Sequence, residues 1–101
     1  MSLPVIFQPA ALAEIDAAFA WYELQASGVG AEFLRRVKLT ELSIAREPLL
    51  YPVARAPLRR ANLRKFPYAL FYLVEPDRVV VLGCFHHRRD PKVWTDQTAQ
   101  G

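Results

Sequence analysis

Cysteine is nearly absent: Cys84 is the only one in 101 residues. A lone cysteine makes no internal disulfide and no Cys-rich zinc site, which excludes the small disulfide-stapled secreted classes. Long apolar runs are also missing. The longest, Val79 to Phe85, has the length of a strand and falls well short of the ~18 residues of a membrane helix. Met1-Ser2-Leu3-Pro4 shows no basic region followed by an apolar core, so no secretory signal is visible and a cytoplasmic location is expected. Glycine is scarce, with 4 in the chain, and none forms a phosphate-cradling loop. The 2 histidines, His86 and His87, are adjacent and have no carboxylate at ligand spacing. That is a poor metal site, and no metal or cofactor is expected. Internal repeats and low-complexity tracts are absent too.

What is present is the balance of one globular domain over 1–101: 52% apolar and 23% charged residues. A chain this short buries roughly two-thirds of its unfolded surface, so a partner or a homodimer would help it. The net charge of +3 is unevenly spread. Residues 1–50 carry four Lys/Arg against six Asp/Glu, whereas residues 51–101 carry nine against four. A basic second half points to an acidic partner, nucleic acid or protein; the plainer reading is a solvated basic surface.

Leu3-Pro4-Val5-Ile6-Phe7 reads as a short strand that Pro4 confines to an edge. Pro9 then suits the first position of a helix. Leu12, Ile15, Phe19 and Tyr22 recur at helical spacing, with Ala11, Ala18 and Ala26 beside them and Glu14, Asp16 and Glu23 off the stripe. Gly28 suits a left-handed cap. A second helix runs from about Gly30 to Arg46, with Phe33/Leu34, Val37, the stem of Glu41 and Ile44 facing inward, and Pro48 stops it. The short connection makes an antiparallel hairpin. Pro48, Pro52 and Pro57 mark 47–58 as an ordered loop. Three strands follow, Arg59–Lys65, Tyr68–Glu75 and Val79–His86, joined by turns at Phe66-Pro67 and Pro76-Asp77. From about Thr95 the tail carries no apolar pattern and is expected to fray.

The expected fold is therefore α+β: an N-terminal strand, an α-helical hairpin, then a three-stranded antiparallel meander. Both helices pack on one face of a small, mainly antiparallel four-stranded sheet. The expected core is Ile15, Phe19, Tyr22, Phe33, Val37, Ile44, Phe71, Val79 and Val81. Two strands do not alternate, Val79-Val80-Val81-Leu82 and Tyr68 to Val74, so both of their faces need cover. The tail or another chain would supply the second cover. Leu39 and Leu42 fall on the solvent side of the second helix, ringed by Arg35, Lys38 and Arg46.

Four stretches in this order carry a family resemblance. They are Pro9 to Ile15 with Trp21-Tyr22-Glu23; Arg46-Glu47-Pro48-Leu49-Leu50-Tyr51-Pro52; Arg59 to Tyr72; and Val81 to Pro91. Over about residues 4–94 the chain resembles the RelE/ParE superfamily of toxins from bacterial type II toxin–antitoxin pairs, often labelled plasmid stabilisation proteins. The resemblance implies a cytoplasmic toxin neutralised by a cognate antitoxin whose C-terminal segment wraps it, either in a hetero-oligomer or beside a toxin homodimer. ParE-like members poison DNA gyrase and inhibit growth. RelE-like members act on the ribosome as metal-independent endoribonucleases that cut mRNA. A non-toxic binding or repressor subunit, or a freestanding basic nucleic-acid-binding domain, is the reading from another class.

RNA cleavage needs a base, an acid and cations converging on one phosphate. His86, His87, Arg64 and Arg89 are the residues that could serve, and only if the chain is a nuclease. Arg59, Arg60, Arg64, Lys65, Arg88 and Arg89 would bind phosphate, since arginine's planar fork matches it. The plainer reading makes His86 a structural histidine under Trp94, continuing the Val80, Leu82, Cys84 side of its strand. Antitoxin carboxylates are the alternative partners of these arginines. Glu47 aligns as a structural acid beside Pro48 rather than the Glu base of YoeB-like members, and no tyrosine follows the last strand. Leu39, Leu42, Arg35, Lys38 and Arg46 form the expected antitoxin surface.

Overall fold

The computed structural model describes residues 2–88. Strand β1 (Val5–Phe7) leads into helix α1 (Pro9–Gln25) and helix α2 (Val29–Arg46). Four strands follow: β2 (Val53–Arg55), β3 (Leu58–Asn62), β4 (Tyr68–Val74) and β5 (Val79–His86). They form one mixed sheet in the order β1-β5-β4-β3-β2. β1 lies parallel to β5, and the remaining neighbours are antiparallel. No helix among the described residues is long and apolar enough to cross a membrane.

This sheet corrects the expected one. It has five strands, and the antiparallel part is four strands rather than a three-stranded meander, because the Pro-rich segment contains β2. Val53 pairs with Arg59 and Arg55 with Leu58 across a tight loop at Ala56-Pro57, whose peptide is cis. Prolines at 52 and 57 hid this strand, yet an edge strand tolerates them at its ends because its outer row needs no donor. The loop preceding β2 is anchored by side chains. The buried Tyr72 hydroxyl donates to the Pro48 carbonyl at 2.7 Å, and Arg59 Nη1 donates to the Tyr51 carbonyl at 2.6 Å.

The helix hairpin is fixed by one carboxylate. Glu23 Oε1, near the end of α1, accepts the backbone N–H groups of Gly28 (3.0 Å), Gly30 (2.8 Å) and Ala31 (3.3 Å) at the start of α2. These donors have no partner within the helix, and the positive end of the dipole favours a carboxylate there. Gly28 takes the left-handed φ of 91°, at the N-cap of α2 rather than as the cap of α1. Gly30 is needed for contact: a Cβ there would lie 2.8 Å from the Phe19 carbonyl oxygen.

On α1 the buried face is Ala11, Ile15 and Ala18. Leu12 is half-exposed, and Phe19 and Tyr22 are half-buried. Alanines at 11 and 18 let the helix sit close on the sheet, which rotates Leu12 outward and turns the Tyr22 ring onto Phe33 (5.4 Å). On α2 the buried positions are Gly30, Phe33, Val37, Thr40 and Ile44. The expected stripe is thus right at three places and replaces Glu41 with Thr40, whose hydroxyl donates to the Arg36 carbonyl (2.8 Å).

Beneath the helices these residues join Leu70, Tyr72, Val79, Val81 and Cys84 in one core. The opposite face carries a second buried cluster of Leu58, Ala69, Phe71, Val80, Leu82 and Phe85. Both faces of β4 and β5 are therefore covered, as their unbroken apolar runs demand. Phe71 belongs to this second cluster rather than to the expected core. The notion that the tail supplies the cover, like the frayed end from 95, lies outside the described residues.

A bulge decides which side His86 takes. Phe71 pairs with Gly83 and Tyr72 with Val81, so Leu82 is an extra residue on β5. The insertion shifts the alternation by one. Cys84 then joins Val79 and Val81 beneath the helices, not Val80 and Leu82. His86, two residues on, shares that side with Tyr68.

Candidate functional site

Two concave regions flank the helix hairpin. The first is a groove of about 390 Å³ between α2 and the far end of β3. Arg36, Leu39, Thr40, Ser43 and Arg46 line it from α2, Tyr51 from the anchored loop, and Asn62 and Arg64 from the end of β3 and the turn beyond. Helical periodicity puts 36, 40 and 43 on one line and 39, 43 and 46 on the next. The Tyr51 hydroxyl donates to Ser43 Oγ (2.8 Å), which ties the loop to the helix and closes one wall.

No acidic residue is among the described liners. Arg36 is oriented by Glu32, with Nε 3.1 Å from its carboxylate. Arg46 and Arg64 are exposed and have no carboxylate partner among the described residues. At the root of the anchored loop, burial pushes the Tyr72 phenol up to about 12, which keeps it a hydrogen-bond donor to Pro48 over the whole physiological range.

The second region lies between α1 and the end of β5. A hollow of about 350 Å³ is lined by Trp21, Tyr22, Pro67, Tyr68 and His86. A neighbouring one of about 240 Å³ shares Trp21, Tyr68 and His86 and adds Glu14, Ala17, Ala18 and Cys84. The rings meet edge-on: Trp21 on Tyr22 at 5.0 Å, and Tyr68 on His86 at 5.2 Å. Burial, with the nearby Tyr68 and Cys84, raises the Tyr22 phenol above its usual range. Glu14, which the helical pattern leaves off the buried stripe, accepts the Cys84 backbone N–H at 3.0 Å. β1 covers only Val79 to Val81 of β5, and this carboxylate serves the strand further along.

His86 Nδ1 accepts the Arg88 backbone N–H (3.1 Å), so a neutral ring carries its proton on Nε2. The His87 backbone donates to the Pro67 carbonyl (2.8 Å), and His87 and Arg88 are exposed. Among the described residues, no arginine or lysine lines either hollow beside His86.

The expected phosphate-binding set is thus dispersed. The ends of β3 and β5 do lie at the same end of the sheet, since Asn62 pairs with Ala69 and Ala69 with Phe85. Arg64 turns into the groove, while His86 faces the aromatic hollow. Arg59 is spent on the Leu49 and Tyr51 carbonyls. Arg60 lies on the opposite face, bonded to Asn62 (3.0 Å) and 5.9 Å above the Phe71 ring. Lys65 sits in the β3–β4 turn with a left-handed φ of 70°. Arg89, like Trp94, lies outside the described residues.

The expected antitoxin set divides as well. Leu39 and Leu42 are exposed, 44% and 47%. Arg35 and Lys38 pair with Glu32 (3.6 Å) and Glu41 (3.5 Å) on their own helix. Leu39 and Arg46 line the groove with Arg64, which sequence spacing had assigned to a different role. Arg36, Thr40, Ser43, Tyr51 and Asn62 went unassigned. The polar line Arg36, Thr40, Ser43 beside the core stripe was the available signal.

Comparison with known proteins gives a family match over residues 5–91, to the ParE toxin of the type II toxin–antitoxin system parDE. No curated protein sequence matches. Among solved structures, a chain of the chromosomal ParDE toxin–antitoxin system from P. aeruginosa is similar, with a TM-score of 0.63 and 14% identity. The match covers 84% of this chain and 96% of that one, and at that identity it speaks for the fold alone.

Proposed function

Since the chain belongs to the ParE family of type II toxins, we propose that it inhibits growth by poisoning DNA gyrase in the bacterial cytoplasm and is neutralised by a cognate antitoxin. The observation that carries the gyrase reading over mRNA cleavage is the separation of the histidine from the cations. Nuclease chemistry requires a base, an acid and cations around one phosphate. Here His86 lies among aromatic rings, while Arg36, Arg46 and Arg64 lie in a groove that shares no lining residue with the hollow. No tyrosine follows the last strand to take the proton in its place.

For the antitoxin, the exposed Leu39 and Leu42 on α2 are the anchors. Full burial of a leucine is worth about 1.5–3 kcal/mol, and an amphipathic helix laid across α2 would recover much of it. Arg46 at the same helix end would meet its carboxylates and speed encounter.

The test is induction in a bacterial host, with and without the neighbouring antitoxin gene. Growth arrest with double-strand breaks covalently linked to gyrase, relieved by the antitoxin, is expected. Cleaved mRNA with unbroken chromosomes would replace gyrase poisoning with the endoribonuclease reading. Normal growth would make the chain a non-toxic binding subunit. Leu39→Asp/Leu42→Asp should leave the chain folded and toxic but no longer rescued. Unchanged rescue would remove this surface from the account.

A further inference from the structure

We propose that the groove between α2 and the end of β3 is a binding site for a phosphodiester backbone, so that this chain contacts nucleic acid directly. The reading goes beyond the toxin assignment and does not depend on it. Three arginines line it from two separate elements, Arg36 and Arg46 on α2 and Arg64 beyond β3. Arg46 and Arg64 are left without carboxylates among the described residues. Of the other polar liners, Thr40 and Tyr51 give their hydroxyl protons to the Arg36 carbonyl and to Ser43 Oγ, and Asn62 Oδ1 accepts from Arg60, which leaves the Ser43 hydroxyl beside the arginines. Arginine, hydroxyl and amide side chains are the groups that proteins use to hold phosphate oxygens, and they position a backbone without reading its sequence.

The groove suits a strand better than an acidic peptide helix. Such a helix needs several apolar anchors. Leu39 is the one aliphatic residue among the described liners, and Leu42, the second anchor of the proposed antitoxin helix, lies outside the groove. That helix would therefore cross the outer face of α2 rather than fill the groove. Arg36 and Arg46 stand ten positions apart on α2, about 15 Å along its axis. That length exceeds the ~3.4 Å advance per nucleotide of one strand, so more than one phosphate fits. The walls are fixed before any ligand arrives: Glu32 orients Arg36, Tyr51 is tied to Ser43, and Arg59 holds the Tyr51 carbonyl.

The experiment titrates the full chain into a fluorescent 20-base-pair DNA duplex, and separately into a 20-nucleotide RNA single strand, across a salt series. Binding to either, with little sequence preference, is expected, and the tighter of the two identifies the source of the backbone. Arg46→Ala/Arg64→Ala should weaken it roughly tenfold or more at low salt. It should also reduce the slope of log K against log salt by about 1 per arginine, with the melting temperature unchanged. Arg55→Ala/Arg78→Ala removes the same charge away from the groove and should leave the slope intact. Arg46→Lys/Arg64→Lys should keep most of the slope, and it serves as the second variant if the alanine pair fails to fold. Equal losses in the groove and control pairs would reduce the effect to net charge and overturn the site. So would binding of poly-glutamate but neither nucleic acid, or no binding at all.

Discussion

The groove beside α2 is lined by three arginines, three hydroxyls, an amide and one leucine; the hollow beside α1 is lined by three aromatic rings, a proline and a histidine. The two lie on either flank of the same helix hairpin, and the turn from Arg64 to Pro67 runs from one to the other. Their difference teaches where chemistry is and is not assembled. Among the described residues, one flank has cations and neither an imidazole nor a carboxylate in its lining. The other has an imidazole and no cation among its described liners. Within the hairpin–sheet core the rings of Tyr22, Phe33, Phe66 and Tyr68 pack on one another.

The largest expected effect comes from disturbing the hairpin that separates the flanks. Gly30→Ala places a Cβ against the Phe19 backbone carbonyl at 2.8 Å, which cannot swing aside as a side chain can. Overpacking of this kind costs about 2 kcal/mol, a fall of roughly 8–16 °C in melting temperature for a domain of this size. A melting temperature within 2 °C of the parent would show that the helices are not in close contact.

Tyr72→Phe comes next and loosens the loop that walls the groove. Losing the bond to Pro48 should cost about 1 kcal/mol at neutral pH. Its pH dependence has a definite sign. Below pH 10.0 the phenol is protonated in both states, and stability is unaffected. As pH rises from 10.0 towards about 12 the unfolded chain ionises first, and stability falls. The variant should therefore show a shallower decline over that window in denaturant titrations, and an identical decline would mean the phenol is not buried.

A smaller effect is expected at the turn between the flanks. Lys65 holds a φ of 70°, which costs a residue with a Cβ about 1 kcal/mol or more. Lys65→Gly should raise stability by up to about 1 kcal/mol, and a clear loss would mean that the lysine side chain makes a contact there. Smallest of all is His87→Ala. An exposed side chain outside both regions should change stability by less than about 0.5 kcal/mol and leave growth arrest intact. Abolished arrest in a folded variant would return the histidine to catalysis.

Much of the fold is legible because periodicity survives in α2 and β5. Phe33, Val37 and Ile44 keep helical spacing, and Val79 to Phe85 stays apolar without break. α1 is harder to orient, since alanine on every side leaves it apolar all round, and close packing chose the Ala11–Ile15–Ala18 face over the bulkier one. β2 is hidden by the prolines that bracket it. The site is less legible than the fold for two particular reasons. The Leu82 bulge, which pattern does not reveal, moves His86 under the helices and away from Val80 and Leu82. Arg59 and Arg64 look alike in sequence, but one answers the Leu49 and Tyr51 carbonyls and the other opens into the groove.

The most direct measurement of the central claim uses the purified chain with purified DNA gyrase, supercoiled plasmid and ATP, beside ribosomes carrying a defined mRNA. The account predicts linear plasmid covalently bound to gyrase, increasing with toxin and suppressed by antitoxin, while the mRNA stays intact. Codon-spaced cuts in the mRNA, with gyrase turning over normally, would contradict it.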